Sequence, residues 1–265
     1  MPKRITRLTL KPMLPFVPPK NIVRKIWGSA DTVLFVFAGA SAEFALNKAV
    51  DWLYFTGRLP ADPLARLFST VVYAQKIVFS DYDKAMAAID SITAIHKAVE
   101  EKRGTQIPSW AYRDVLFMLV DYSVRAFELL DRKLTTAEKE EIFAVFHAIG
   151  SRMGIDGLPA TFSEWFVMRT QHLQQNLVRS NLTMHLYQQY KKHLGFARYL
   201  LLKQVQVLLV PVCVRRLLLL NNTTWLWPVV QAYKWSRIFQ LDGFVKKAIL
   251  PREYKAQIAG LDVNG

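Results

Sequence analysis

The stretch AIDSITAIHKAVEEKRG, residues 88–104, sets Ile89, Ile92, His96 and Val99 three or four residues apart and closes on a glycine. That spacing puts all four on one face of an α-helix running from Asp83 to about Arg103, so His96 projects among aliphatic neighbours. An imidazole in apolar surroundings needs something opposite it, and both a hydrogen-bond acceptor and a metal meet that need. The same rhythm recurs along the chain. Glycine is scarce at 11 of 265 residues and alternating β-branched patterns are rare, which predicts an all-α fold.

Helix limits follow from local chemistry. Thr135 with Glu138, and Thr161 with Glu164, fit the capping box, in which side chains satisfy the first-turn amides. Breaks are expected at 57–63, 79–83, 104–108 and 154–159, where Gly, Pro, Ser and Asp gather. Helices are therefore predicted over 31–54, 63–78, 82–102, 111–131, 136–152, 162–178, 181–194 and 196–220, followed by a C-terminal tail. Pro211 should kink or end the last of them. No linker rich in Pro, Gly or Ser divides the chain, and no internal repeat is visible. The division expected is a basic, proline-rich arm over 1–26, one helical domain over 27–220, and a basic aromatic tail over 221–265 packed on it.

Composition narrows the class. With 52% hydrophobic and 21% charged residues, a sizeable core is expected. Charge-free apolar stretches such as 32–42 and 204–214 fall well short of the ~20 residues of a spanning helix. The basic N-terminus lacks the apolar segment of a secretory signal, and one cysteine, Cys213, suits a buried thiol in a reducing compartment. A cytoplasmic location is the resulting expectation, with peripheral contact on the inner face of the membrane. The net charge of +14 is uneven: residues 1–25 hold seven Lys/Arg and no acid, and 166–265 hold fourteen against three acids. Because these cations interleave with Leu, Val and Trp, an anionic membrane surface is a better partner than nucleic acid. Solvated charges on the outside of buried helices fit the same pattern.

In DPLARLFST (62–70), Arg66 stands among Leu64, Leu67, Phe68, Val71 and Val72, with Thr70 one turn on. A guanidinium there must meet an anion, either a ligand or a protein carboxylate such as Asp121 in VLFMLVDYSV. Other chemistries fail on spacing. There is no Glu-x-x-His pair for a di-iron bundle, no His-x-x-x-His pair, and no cysteine set for structural zinc. The G-x-S-x-G elbow, the Walker loop and G-x-G-x-x-G are also absent from the sequence.

Six segments in order, DPLARLFST (62–70), IVFSD (77–81), AIDSITAIHKAVEEKRG (88–104), LVDYSVRAFELL (119–130), LTTAEKEEIF (134–143) and GIDGLPATFSEW (154–165), resemble the MpaB and latex-clearing-protein (rubber oxygenase) family. The resemblance spans roughly residues 27–195. It implies a single large helical domain of eight or more helices around a buried pocket for one b-type haem. His96 would be the proximal iron ligand, and Arg66 and Thr70 would lie on the distal or propionate side. Asp121 and Arg125 would support the pocket from behind. It further implies an oxidoreductase that uses dioxygen on an apolar, isoprenoid or lipid-like substrate, with oxidative cleavage of a carbon–carbon double bond as the reaction of its characterised enzymes.

Two departures stand out. Many relatives carry a His-Pro pair in the helix before DPLARL, whereas this chain reads LNKAVDWLYFTGR. Ser69 stands where some rubber-cleaving members have lysine, so a five-coordinate or water-bound resting iron is expected. A different class, a non-enzymatic helical lipid-binding or membrane-surface protein, fits the basic, tryptophan-bearing tail. A haem sensor or store fits the histidine.

Overall fold

The computed structural model describes residues 14–57 and 61–238. The chain is all-α, a single helical domain, and eleven helices lie among the described residues: α1 (Ile22–Trp27), α2 (Ala30–Phe44), α3 (Val50–Phe55), α4 (Pro63–Phe79), α5 (Tyr82–Arg103), α6 (Ser109–Leu130), α7 (Thr136–Arg152), α8 (Phe162–Gln175), α9 (Asn181–Leu209), α10 (Val212–Leu217) and α11 (Leu226–Ile238). The first half of the expected N-terminal arm, 1–13, and the larger part of the expected tail, 239–265, fall outside the described residues. None of the described helices is long and apolar enough to cross a membrane.

The core forms where α2 packs along α6, with α7 and α9 closing over the pair. Val33, Val36, Ala42, Phe117, Met118, Ala126, Phe127 and Ile142 are buried there. Gly39 permits the close approach of α2 to α6. A Cβ at that position would fall inside the Tyr122 ring, which is fully buried. Gly39→Ala should therefore cost about 1–3 kcal/mol or more, through forced displacement of packed atoms rather than lost contacts. A urea titration reads the change directly. Part of the 14–27 segment also reaches the core: Val17, Val23, Ile26 and Trp27 are buried, and Trp27 Nε1 donates to Ser123 Oγ at 3.2 Å.

Several expectations from sequence are corrected. The helix expected over 31–54 is two helices, because the chain turns at 45–49. Asn47 Oδ1 accepts from Ala49 N while its Nδ2 reaches Asp114 on α6, and Asn47 pairs with Leu177 in an isolated β-bridge. Apolar periodicity continues through this turn, so only the tertiary contact reveals it. The helix placed over 162–178 stops at Gln175, where Asn176 caps it. Pro211 ends α9 at Leu209 and precedes α10, and Gly195 breaks α9 internally at φ 72°, ψ 169°. Residues 226–238, expected as tail, are helical and dock through Tyr233, whose hydroxyl donates to Asp31 Oδ2 at 2.6 Å. The Thr135 capping box forms in full. At Thr161 the hydroxyl accepts from Glu164 N, but the Glu164 carboxylate takes the Ala160 amide instead of the Thr161 one.

Candidate functional site

Helices α4 and α5 pack against each other and bring Arg66, Thr70 and His96 together. Asp62 starts α4, its Oδ1 accepting from Leu64 N and Ala65 N, which fixes the turn that carries Arg66. Arg66 Nη1 donates to Thr70 Oγ1 at 2.8 Å and to Ser69 Oγ at 3.2 Å. The first half of α5 is tightly held, with Ala85, Ala88 and Ile89 buried. From Ile92 onward its inward face is less covered: Ile92, His96 and Val99 are half-buried.

His96 has no hydrogen-bond partner at Nδ1, although that atom is buried. Its ring lies edge-on to Tyr112, centroids 5.2 Å apart. Burial is the main cause lowering its pKa to about 4, the Arg66 charge adds to this, and Glu100 one turn along opposes it. At neutral pH the imidazole is thus uncharged, which is the form that ligates iron. Glu100 is itself held by Tyr112 Oη at 3.1 Å and the Ile107 amide at 2.9 Å.

The other residues expected near this site sit elsewhere. Asp121 Oδ1 accepts from Arg125 Nε at 2.7 Å and its Oδ2 from Arg169 Nη2 at 2.8 Å. Its carboxylate, the protein partner the sequence offered to Arg66, is engaged on both oxygens by α6 and α8. Arg125 and Asp121 therefore belong to a second, buried cluster, which sequence reasoning did not find. At its centre Arg169 also donates through Nη2 to Glu43 Oε2 at 2.6 Å. His172 stands between Glu43, 3.0 Å from its Nε2, and Asp114 at its Nδ1. Asn47 and Asn176 donate to Asp114 Oδ2, and Tyr122 donates to Glu43 Oε2 at 2.9 Å. Three anions, two arginines and one histidine balance when the histidine carries its second proton.

The sequence signal for this cluster was a polar stripe inside apolar helices. Arg169, His172 and Asn176 share one face of α8, and Asp114, Asp121 and Arg125 one face of α6. Burial tends to lower the His172 pKa, but its hydrogen bonds to Asp114 and Glu43 outweigh this and raise it above 6.5. Burial tends to raise the Glu43 pKa, but Arg169 and then His172 bring it down to about 2. The stability each contributes then has a definite direction in pH. The His172 contribution is fully present below 6.5 and fades as pH rises through its raised value. The Glu43 contribution is present above 4.5 and is lost as pH falls towards about 2. Thermal melting from about pH 5 to about pH 9 should show the alkaline decline, and His172→Gln should flatten it.

Among the described residues no group of three or more His, Cys, Asp and Glu could hold a metal ion. A haem iron makes a smaller demand, because the porphyrin supplies four of its ligands and the protein needs to supply one. A half-buried, uncharged imidazole whose enclosed Nδ1 has no partner, between Ile92 and Val99 on its helix and with an arginine near it, fits that group.

A helical domain with one such histidine and one such arginine on adjacent helices defines a class of site, and comparison with known families supplies its affiliation. Over residues 25–240 the chain matches the family described as ER-bound oxygenase mpaB/B'/rubber oxygenase, catalytic domain, and it belongs to that family. The match reaches well beyond residue 195, taking in α9 to α11. No curated protein and no solved structure matches the chain.

Proposed function

We propose that the protein is a haem-dependent oxygenase acting on an apolar, isoprenoid or lipid-like substrate, with His96 as iron ligand. Family membership supports the oxygenase class. The observation that carries the finer reading is the orphaned Nδ1 of an uncharged, partly buried imidazole facing the arginine-bearing helix. When bound, haem supplies an iron centre at which dioxygen is activated.

The chain's own residues have distinct tasks. His96 holds the iron from a helix whose first half is anchored in the core. Arg66, oriented by Thr70 and Ser69, provides the cation that a propionate or a polarised oxygen requires. Ile92 and Val99 offer a hydrocarbon its contact surface and keep water from it. Cleaving a C=C bond with one dioxygen places one oxygen atom in each of two carbonyl products, so no external reductant is needed. The test is a purified, haem-replete sample: a Soret band, oxygen uptake with a short polyprenyl substrate, and carbonyl products by mass spectrometry are expected. A colourless protein from haem-replete cells would overturn the cofactor, and a coloured one that leaves polyprenyl substrates untouched would overturn the reaction.

A further inference from the structure

We propose that the face built from the second half of α9, the α10–α11 connection and the outer side of α11 docks on the surface of an anionic lipid bilayer. The proposal is independent of the iron chemistry above. Helix α11 has two apolar sides. Leu226, Val230 and Tyr233 turn inward, yet the outward positions hold Trp227, Pro228, Val229, Ala232 and Trp235. A helix exposed only to water carries polar residues there. Trp225, Trp227 and Trp235 are 62%, 52% and 64% exposed.

The patch continues onto α9. Thr224 Oγ1 donates to Gln204 Oε1 at 2.6 Å, which ties Trp225 to the α9 stripe that bears the exposed Leu200 and Phe196 one and two turns earlier. In the α10–α11 connection Leu219 adopts φ 53°, a left-handed conformation that favours Gly or Asn, and its side chain is 70% exposed. That turn closes the end of α10, with Leu219 N donating to Arg216 O and Leu220 N to Arg215 O, and it leaves the leucine side chain in water beside the indoles' segment.

Charge selects the occupant. From Trp165 to Leu241 the sequence contains ten Lys/Arg and no Asp or Glu. The Lys191 ammonium lies over the Phe196 ring at 6.0 Å and the Lys203 ammonium over the Tyr199 ring at 5.9 Å, so cations and aromatic surface are interleaved on this face. Apart from Arg169, which is buried in the ionic cluster, these cations have no acid in their own segment, and exposed indoles, aliphatic tips and excess cations are the chemistry of the interface between headgroups and acyl chains in an anionic leaflet.

Vesicle flotation tests this. The full chain should float with vesicles of equal parts phosphatidylcholine and phosphatidylserine, stay behind with phosphatidylcholine alone, and be released by added salt. The triple variant Trp225→Ser, Trp227→Ser, Trp235→Ser should lose binding by roughly tenfold or more while its circular-dichroism melt is unchanged, since the three side chains are largely in solvent. Lys191→Glu with Arg216→Glu should weaken binding and flatten its salt dependence. Flotation with neither vesicle, retained flotation of the triple variant, or a self-association that the triple variant abolishes would each overturn the proposal, the last by making a second copy the occupant. Indoles already shielded from acrylamide in the free protein would overturn it as well, because the chain itself would then cover the face.

Discussion

His96→Ala should purify without a Soret band from cells in which the parent protein is coloured. Because α5 is anchored by Ala85, Ala88 and Ile89, about two to three turns before the histidine, the variant should keep its helical circular dichroism. Even the outer partners of metal ligands contribute about 10- to 100-fold to affinity, so loss of the ligand itself should lower haem occupancy by at least that much. His96→Gly supplied with free imidazole should recover part of the absorbance, since the deleted ring leaves a space for one. Full haem content in His96→Ala would place the iron ligand elsewhere.

The second large effect lies in the buried cluster. Arg169→Leu removes the cation shared by Glu43 and Asp121 while both carboxylates stay enclosed. Stranding buried charge in this way costs about 3–5 kcal/mol, a large fraction of a domain's stability. Glu43→Gln keeps the shape and leaves Arg169 paired with Asp121, so a smaller loss of about 1–3 kcal/mol is expected. Arg152→Ala opens an exposed bidentate pair with Asp90 and should barely move the midpoint. Urea denaturation of the three variants compares them on one scale. Equal midpoints for Arg169→Leu and Arg152→Ala would show that enclosure of the cluster carries no energetic weight.

The parts of this molecule that were legible from sequence are those set by neighbours along the chain. Helix α5 ends at Arg103 because Gly104 takes the left-handed cap, and α4 begins at Pro63 because Asp62 caps it. Both follow from residues within one turn. Arg66, Thr70 and His96 are grouped by the family resemblance; spacing alone puts His96 on an apolar helix face and Arg66 among apolar neighbours without joining them. The Arg169 partner of Asp121 is not legible, because the two are 48 positions apart, and Arg169 meets Glu43 across 126. The turn at 45–49 is hidden for the same reason, as its stabilising bonds go to Asp114 and to the 176–178 segment. Helix α11 escaped notice because its pattern is apolar on two sides, and periodicity identifies a helix only when one side is polar.

The ionic cluster ties α2, α6 and α8 together, whereas His96 borders the loosely covered half of α5. Rigidity and reactivity are therefore housed in different parts of one chain. Ile92 packs on the main core whereas Val99 is only half-buried outside it, so a substitution at Val99 reshapes the histidine's surroundings at less risk to folding. Such a division of labour lets drift along a single helix change the surroundings of His96 while the ionic cluster stays fixed.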